Sequence, residues 1–142
     1  MGQFPDYYYN QSAVIPIRGR GDDLRVLLIS SRTNKRWVIP KGIIEPALSP
    51  EESAAKEAHE EAGIEGSVFP ARIGIFEYDK WGGTCKVQVF VMDVEKVHDH
   101  WLENFRERVW VTLEEATRRM KEKALQTILQ QVPVFLTRTS QP

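Results

Sequence analysis

Short runs of apolar residues recur along the chain and predict the strands of a sheet. Residues 24–29 are nearly all aliphatic, which is typical of a strand buried on both faces. Apolar and polar positions alternate in residues 85–94, so Val87 and Val89 are expected to share one face of their strand. We also expect a bulge at Gly74. Runs of the same kind predict further strands at residues 13–17, 37–39, 68–77 and 109–111.

A capping signature marks the start of one helix clearly. Ser49 is a preferred N-cap residue, Pro50 suits the first helical position, and Glu52 completes a capping box with Ser49. Gly63 suits the left-handed conformation in which many helices end. The sequence therefore predicts a helix from Pro50 to the residue before Gly63.

The second half of the chain adds two more helices. Thr112 and Glu115 form another capping box, which predicts a helix as far as about Met120. Apolar residues at helical spacing predict a last amphipathic helix in residues 125–132. Mixed strands with a few helices favour an α/β sandwich over a strict alternation of units. The length of 142 residues fits a single domain spanning residues 1–142, with its core at about 13–132 and loosely held termini.

Composition places the chain among ordinary globular proteins. Hydrophobic residues make up 42% and charged residues 27%, and no apolar run reaches the ~18 residues of a membrane span, so no membrane partner is expected. A net charge of −1 argues against DNA or RNA as a general partner. Cys85 is the single cysteine, and we expect it to be buried in a strand and the protein to be cytoplasmic. No basic residue precedes Arg18, so no secretory signal is expected.

The charges are divided between two consecutive segments. Residues 17–42 carry seven basic residues against two acids, whereas residues 45–65 carry seven glutamates against one lysine. A site in which acids hold a cation and bases hold an anion would need this division. Two unrelated solvent-facing segments would give the same counts, so the spacing of the residues has to decide.

The acidic segment coincides with the capped helix. At ~100° per residue, Glu57, Glu60 and Glu61 fall within about 100° of arc. Carboxylates this close repel one another, which predicts a compensating cation, and clustered oxygen ligands suit Mg²⁺ or Mn²⁺. A neighbouring stripe of small residues would let the helix lie close to a sheet; it consists of Ala54, Ala55, Ala58 and Ala62.

The segment from Gly42 to Ile64 resembles the Nudix box. Every spacing of that motif is met over 23 positions, with Leu48 where the motif has its first glutamate and Lys56 where it has an arginine. The resemblance extends over about residues 13–120, toward the diphosphoinositol polyphosphate phosphohydrolase branch. Three further segments are similar to that branch: Arg36-Trp37-Val38-Ile39-Pro40, Gly74-Ile75-Phe76-Glu77 and Arg108-Val109-Trp110.

The resemblance implies a fold, a reaction and a metal site. The fold would be α+β, a Nudix-like α/β/α sandwich with a mixed β-sheet, and the reaction would be hydrolysis of a P–O–P linkage. Glu57 and Glu61 would bind the divalent cation, with the carbonyl of Gly42 as a further ligand. Glu60 would act as proton acceptor or as an additional ligand. The cation would be Mg²⁺, for which Mn²⁺ could substitute.

The basic residues complete the expected site. Lys56 keeps the charge of the motif arginine but offers a single donor rather than a planar pair, so we expect activity to survive. The residues expected to contact phosphate groups are Arg32, Lys41 and Arg108, together with the backbone at Gly42. The expected partner is a polyphosphorylated small molecule such as a diadenosine polyphosphate or a diphosphoinositol polyphosphate.

Two alternatives remain at the level of sequence. The segment from Trp37 to Gly42 is also compatible with RNA 5′ pyrophosphohydrolases, although the net charge does not favour an RNA path. The replacements at Leu48 and Lys56 suggest a degenerate binding module, against which the retained glutamates of the helix argue. No histidine is expected to bind a metal. His59 is interpreted as a bystander, and His98 and His100 are expected to be exposed. The sequence leaves the oligomeric state open.

Overall fold

The structure, a computed structural model, describes residues 2–33 and 35–139, and eight strands within these residues form one mixed sheet. The strands are β1 (Asn10–Arg18), β2 (Arg25–Ser30), β3 (Trp37–Val38), β4 (Lys41–Ile43), β5 (Ile64–Val68), β6 (Gly74–Lys80), β7 (Gly83–Val97) and β8 (Arg108–Thr112). The expected loosely held ends fall partly outside the described residues, because positions 1 and 140–142 are not among them.

Strand β1 lies at the centre of the sheet. It runs parallel to β7, and the other strand pairs that the structure describes are antiparallel. The main order is β3-β2-β1-β7-β5, while β4 also pairs with β1, β6 with β7 and β8 with β2. The mixed sheet expected from the sequence is therefore confirmed.

A proline lies inside this central strand. The sequence predicts that the first strand ends near Pro16, but β1 continues to Arg18. The N–H of Val14 donates to the carbonyl of Pro40 at 3.0 Å, and backbone groups two residues apart face the same side of a strand. The nitrogen of Pro16 thus faces the gap between the stretches paired with β4 and with β2, where no ladder bond is lost.

The single strand predicted over residues 68–77 is wrong, because two strands occupy this region. Strand β5 ends at Val68 and β6 begins at Gly74. Pro70 lies between them, and a proline cannot donate to a sheet ladder, which explains the interruption. Phe69 fills the connection with a fully buried ring.

The glycine at position 74 also has a different role from the predicted bulge. The irregularity in the sheet lies between Glu65 and Gly66 instead. A Cβ added to Gly74 would lie 2.8 Å from Cγ1 of Ile128. This glycine therefore allows a helix to approach the first residue of β6 closely.

Helices cover both faces of the sheet. They are α1 (Pro50–Glu57), α2 (Leu113–Arg119), α3 (Lys123–Gln130) and α4 (Val132–Arg138). Ala54, Ala58 and Ala62 pack on one face beside Val14 and Leu27. The other face is covered by the later helices, whose buried residues include Ala116, Leu125, Leu129 and Val132. Successive residues of β1 alternate between these two cores, so the α/β/α sandwich is confirmed.

The later helices differ from expectation in detail. The Thr112 hydroxyl accepts the N–H of Glu115 at 3.1 Å, but the Glu115 carboxylate pairs with Arg118 and Arg119 instead of closing the capping box. The predicted last helix is divided, since α3 ends at Gln130 and α4 follows. None of the described helices is both long and apolar enough to cross a membrane.

Candidate active site

Helix α1 carries the acidic segment and begins as predicted. The Ser49 hydroxyl accepts the N–H of Glu52 at 3.1 Å, and Oε1 of Glu52 accepts the N–H of Ser49 at 2.9 Å. The helix continues as a π-helical turn, Ala58–Ala62, and ends at Gly63 with φ of +66°. The sequence did not predict the π turn. Such turns are rare in proteins, and those that occur are frequently found at functional sites.

Glu57 and Glu61 form a close pair on this helix. Each carboxyl group shifts the pKa of the other, so the two groups lie close together, and Oε1 of Glu61 also accepts the N–H of Lys41 at 3.1 Å. Burial, followed by the charge of Glu61, raises the pKa of Glu57 to about 8. Burial likewise raises the pKa of Glu61, although the N–H of Lys41 opposes this rise. Without a cation, the raised pKa of Glu57 therefore favours its protonated form at neutral pH.

Gly42 brings the backbone of β4 against this pair. A Cβ added to Gly42 would overlap the Glu57 carboxylate, so only glycine leaves room for it there. Strand β4 reaches this position through its antiparallel pairing with β1, where Gly42 lies opposite Ser12. The structure thus brings together Gly42, Glu57 and Glu61, three of the residues selected from the sequence.

Glu60 points to a different partner. Nζ of Lys56 lies 3.1 Å from Oε2 of Glu60 and 3.0 Å from Oε2 of Glu45. These two carboxylates raise the pKa of Lys56 above its usual value. The motif has a glutamate where this chain has Leu48. Here Glu45 provides a carboxylate that contacts Lys56. Lys56 in turn fixes the rotamer of Glu60 beside the pair.

Glu103, in the loop between β7 and β8, supplies a further carboxylate that the sequence did not predict. The N–H of Glu103 donates to the carbonyl of Glu60 at 3.0 Å, and the charge of Glu103 contributes to the raised pKa of Glu61. Arg106 is buried and donates to Oε1 of Glu103 through Nε at 3.0 Å and Nη2 at 2.9 Å. Nothing in its local sequence distinguishes Glu103, because only the folded loop brings it to the helix.

Arg108 links the same loop to the end of the π turn. Its Nη1 donates to the carbonyls of Ala62 at 3.0 Å and His98 at 2.9 Å. Its guanidinium lies 3.8 Å from the centre of a Trp101 ring, whose Nε1 donates to the carbonyl of Glu61 at 3.1 Å. These contacts give Arg108 a structural role, and its contact with phosphate stays a prediction.

The other two expected phosphate contacts differ in their surroundings. The Arg32 side chain is 72% exposed, and its Nη2 is 3.7 Å from Oε1 of Glu103. Lys41 is half-buried, and its Nζ donates to the Tyr78 hydroxyl at 2.9 Å. Burial lowers the pKa of Lys41. A cavity of about 80 Å³ adjoins Lys41 and Tyr78, with Arg36 at its edge.

Comparison with known proteins gives a consistent result. A family model described as the NUDIX domain matches residues 9–132. Diphosphoinositol polyphosphate phosphohydrolase 3-alpha of Mus musculus is 30% identical over 115 residues, which cover 79% of this chain and 69% of that protein. Nudix hydrolase 12 of Arabidopsis thaliana, a mitochondrial protein, is 32% identical over 117 residues, which cover 76% of this chain and 58% of that protein.

Solved structures support the same fold. The crystal structure of a C. elegans Ap4A hydrolase superposes with a TM-score of 0.72 at 20% identity, covering 89% of this chain and 97% of the other. A NUDIX hydrolase from Nitrosomonas europaea gives a TM-score of 0.68 at 18% identity, covering 85% of each chain.

The carboxyl pair predicts how stability depends on pH. We expect the metal-free protein to be most stable below pH 4.5 with respect to Glu57, and to lose this contribution as the pH rises to about 8. The reason is that the folded state keeps a proton that the unfolded chain releases. Glu57→Gln should flatten this profile and raise the free energy of unfolding above pH 8 by about 1 kcal/mol, after allowance for solvent screening.

Urea unfolding in EDTA over this pH range measures the effect. Glu51→Gln is the matched control, because it removes a carboxylate from the same helix but outside the pair. The control should keep the slope of the wild-type protein. Parallel profiles for the wild-type protein and Glu57→Gln would contradict the raised pKa of Glu57.

Proposed function

Since the chain belongs to the NUDIX family and is a pyrophosphohydrolase of that family, we propose that it hydrolyses a P–O–P linkage in a polyphosphorylated small molecule, with Mg²⁺ as its metal and Mn²⁺ as an effective substitute. The observation that carries this proposal is the carboxyl pair of Glu57 and Glu61 beneath the backbone of Gly42. Two half-buried carboxyl groups with raised pKa values form a site that a divalent cation can occupy in place of a proton.

The donors fit a hard cation. Nudix enzymes generally need a divalent metal. We propose the carboxylate oxygens of Glu57 and Glu61 and the carbonyl of Gly42 as the donors, and oxygen donors suit Mg²⁺. Bound there, Mg²⁺ would neutralise phosphate charge and make water easier to deprotonate. The remaining chemistry belongs to side chains of the protein.

Proton transfer falls to a carboxylate beside the pair. Glu60 is held by Lys56 with one oxygen, which leaves the other oxygen for a water molecule or for the metal. Glu103, held by Arg106, is the second carboxylate within reach of the site. We assign Glu60 as the proton acceptor or an additional ligand and Lys56 as the residue that positions it.

The substrate side combines cationic and aromatic groups. Nζ of Lys41 lies 4.4 Å from the centre of the Tyr78 ring, and Phe76 lines the same cavity. Arg36 and Val38 complete the part of the lining nearest to β3. Glu122 also lines the cavity and pairs with Arg36, so the aromatic faces suit a planar apolar group better than a ring with phosphates around it. We therefore favour a dinucleoside polyphosphate over a diphosphoinositol polyphosphate, with Arg32 and Arg108 as further candidate phosphate contacts.

A phosphate-release screen with Mg²⁺ or Mn²⁺ tests this function. It should compare dinucleoside polyphosphates, diphosphoinositol polyphosphates, nucleotide sugars, nucleoside triphosphates and triphosphorylated RNA. We expect the highest turnover with dinucleoside polyphosphates, and a loss of at least about 100-fold in Glu61→Gln with the fold retained. Glu51→Gln is the control and should keep the wild-type rate.

Two results would contradict the proposal. Unchanged metal-dependent turnover in Glu61→Gln would remove Glu61 from the metal site. Turnover confined to triphosphorylated RNA would support the alternative RNA substrate.

A second prediction concerns Lys56. An arginine at this position could donate to Glu60 and Glu45 through two separate nitrogens of one planar group. We therefore expect Lys56→Arg to maintain or raise kcat in the same assay. Lys96→Arg, a change on an exposed part of β7, is the matched control and should leave kcat unchanged. A large drop confined to Lys56→Arg would show that the lysine does more than position Glu60.

A further inference from the structure

Two histidines and a glutamate meet at the surface near the end of the π turn. The nearest ligand atoms of His59, Glu65 and His98 all lie within 4.8 Å of one another. Nε2 of His98 is in direct contact with Oε2 of Glu65, and the rings of the two histidines are 5.6 Å apart at 83°. Among the described residues, no other three histidine, cysteine or acidic side chains bring their ligand atoms this close together.

The backbone fixes this arrangement through Gly63. The N–H of Gly63 donates to the carbonyl of His59 at 3.0 Å, and its own carbonyl accepts the N–H of His98 at 2.8 Å. Glu65 lies two residues beyond Gly63 on β5, opposite Lys96 of β7. A helix end, a strand start and a strand end therefore present the three side chains from one point. Sequence reasoning grouped His98 with His100 and missed this contact across the fold.

The cluster is open to solvent on one side. His59 and Glu65 are exposed, whereas His98 is half-buried. His59 and Glu65 also line an open depression of about 420 Å³. This leaves space for a water molecule or another small ligand next to the three side chains.

The donor set differs in kind from that of the catalytic pair. Two imidazoles and one carboxylate are ligands that Zn²⁺ and neighbouring transition metals prefer, whereas Mg²⁺ prefers oxygen alone. Three protein ligands with an open fourth position are typical of a tetrahedral zinc centre. A tetrahedral ion at ~2.0–2.1 Å from nitrogen spaces its ligand atoms by roughly 3.4 Å. His59 is exposed, so a change of its rotamer can bring its ring nitrogen closer to the other two ligand atoms.

We propose that His59, Glu65 and His98 form a Zn²⁺ site separate from the site of the catalytic metal. The ion replaces the contact between His98 and Glu65 with bonds to both and recruits His59 as the third ligand. It links the turn that follows the catalytic helix to β5 and to the end of β7. Zinc binding therefore stabilises the fold at the end of the helix that carries Glu57 and Glu61.

Zinc titration of the full chain against a chromophoric chelator, with Mg²⁺ in millimolar excess, tests this site. We expect one Zn²⁺ per chain with micromolar or tighter affinity. His59→Gln, Glu65→Gln and His98→Gln should each weaken binding at least about tenfold. Binding of Zn²⁺ should also raise the Tm of the wild-type protein by several degrees, and His98→Gln should abolish this rise.

Two controls separate this site from others. His100→Gln removes the neighbouring histidine outside the cluster and should leave zinc affinity unchanged. The double variant Glu57→Gln/Glu61→Gln removes the catalytic pair and should also bind zinc normally. Because His59 and Glu65 are exposed, their variants remain informative even if His98→Gln folds poorly.

The ligand-field spectrum of Co²⁺ provides a second readout. Intense visible bands of low coordination are expected in the wild-type protein and lost in His59→Gln. Absence of zinc binding in the wild-type protein would overturn the proposal. So would wild-type zinc affinity in both His59→Gln and Glu65→Gln, or loss of zinc binding in the double variant alone.

Discussion

Two partly buried carboxyl groups held side by side impose the main constraint on this structure. Glu57 and Glu61 cannot both be charged at their separation unless something positive lies between them. In the metal-free protein, burial raises the pKa of both groups and so favours keeping a proton there. A divalent cation bound in the proposed site would compensate both charges, and partial burial would strengthen its attraction to the carboxylates.

The surrounding fold prevents the pair from relaxing apart. The alanine face of the helix is buried against the sheet, so the helix cannot rotate without exposing its core contacts. Gly42 of β4 lies against the Glu57 carboxylate. Trp101, in the loop between β7 and β8, donates a hydrogen bond to the carbonyl of Glu61. Repulsion between the two carboxylates would destabilise an isolated helix. Here the packed sheet keeps the helix folded and the two carboxylates close together.

Local signals in the sequence predicted much of this arrangement. The capping box at Ser49, the ending at Gly63 and the glutamate spacing are short-range features that depend on few residues. Contacts between distant segments were not predictable in this way. Glu103 reaches the helix only through the folded loop, and His98 lies beside Glu65 rather than acting with His100. The pairing of Lys56 with Glu45 likewise depends on three-dimensional proximity.

Anomalous scattering from a crystal grown with Mn²⁺ tests the central claim most directly. The account predicts one strong peak bound by the carboxylates of Glu57 and Glu61 and by the carbonyl oxygen of Gly42. Density showing no manganese at these two carboxyl groups, with the ion elsewhere or absent, would contradict it.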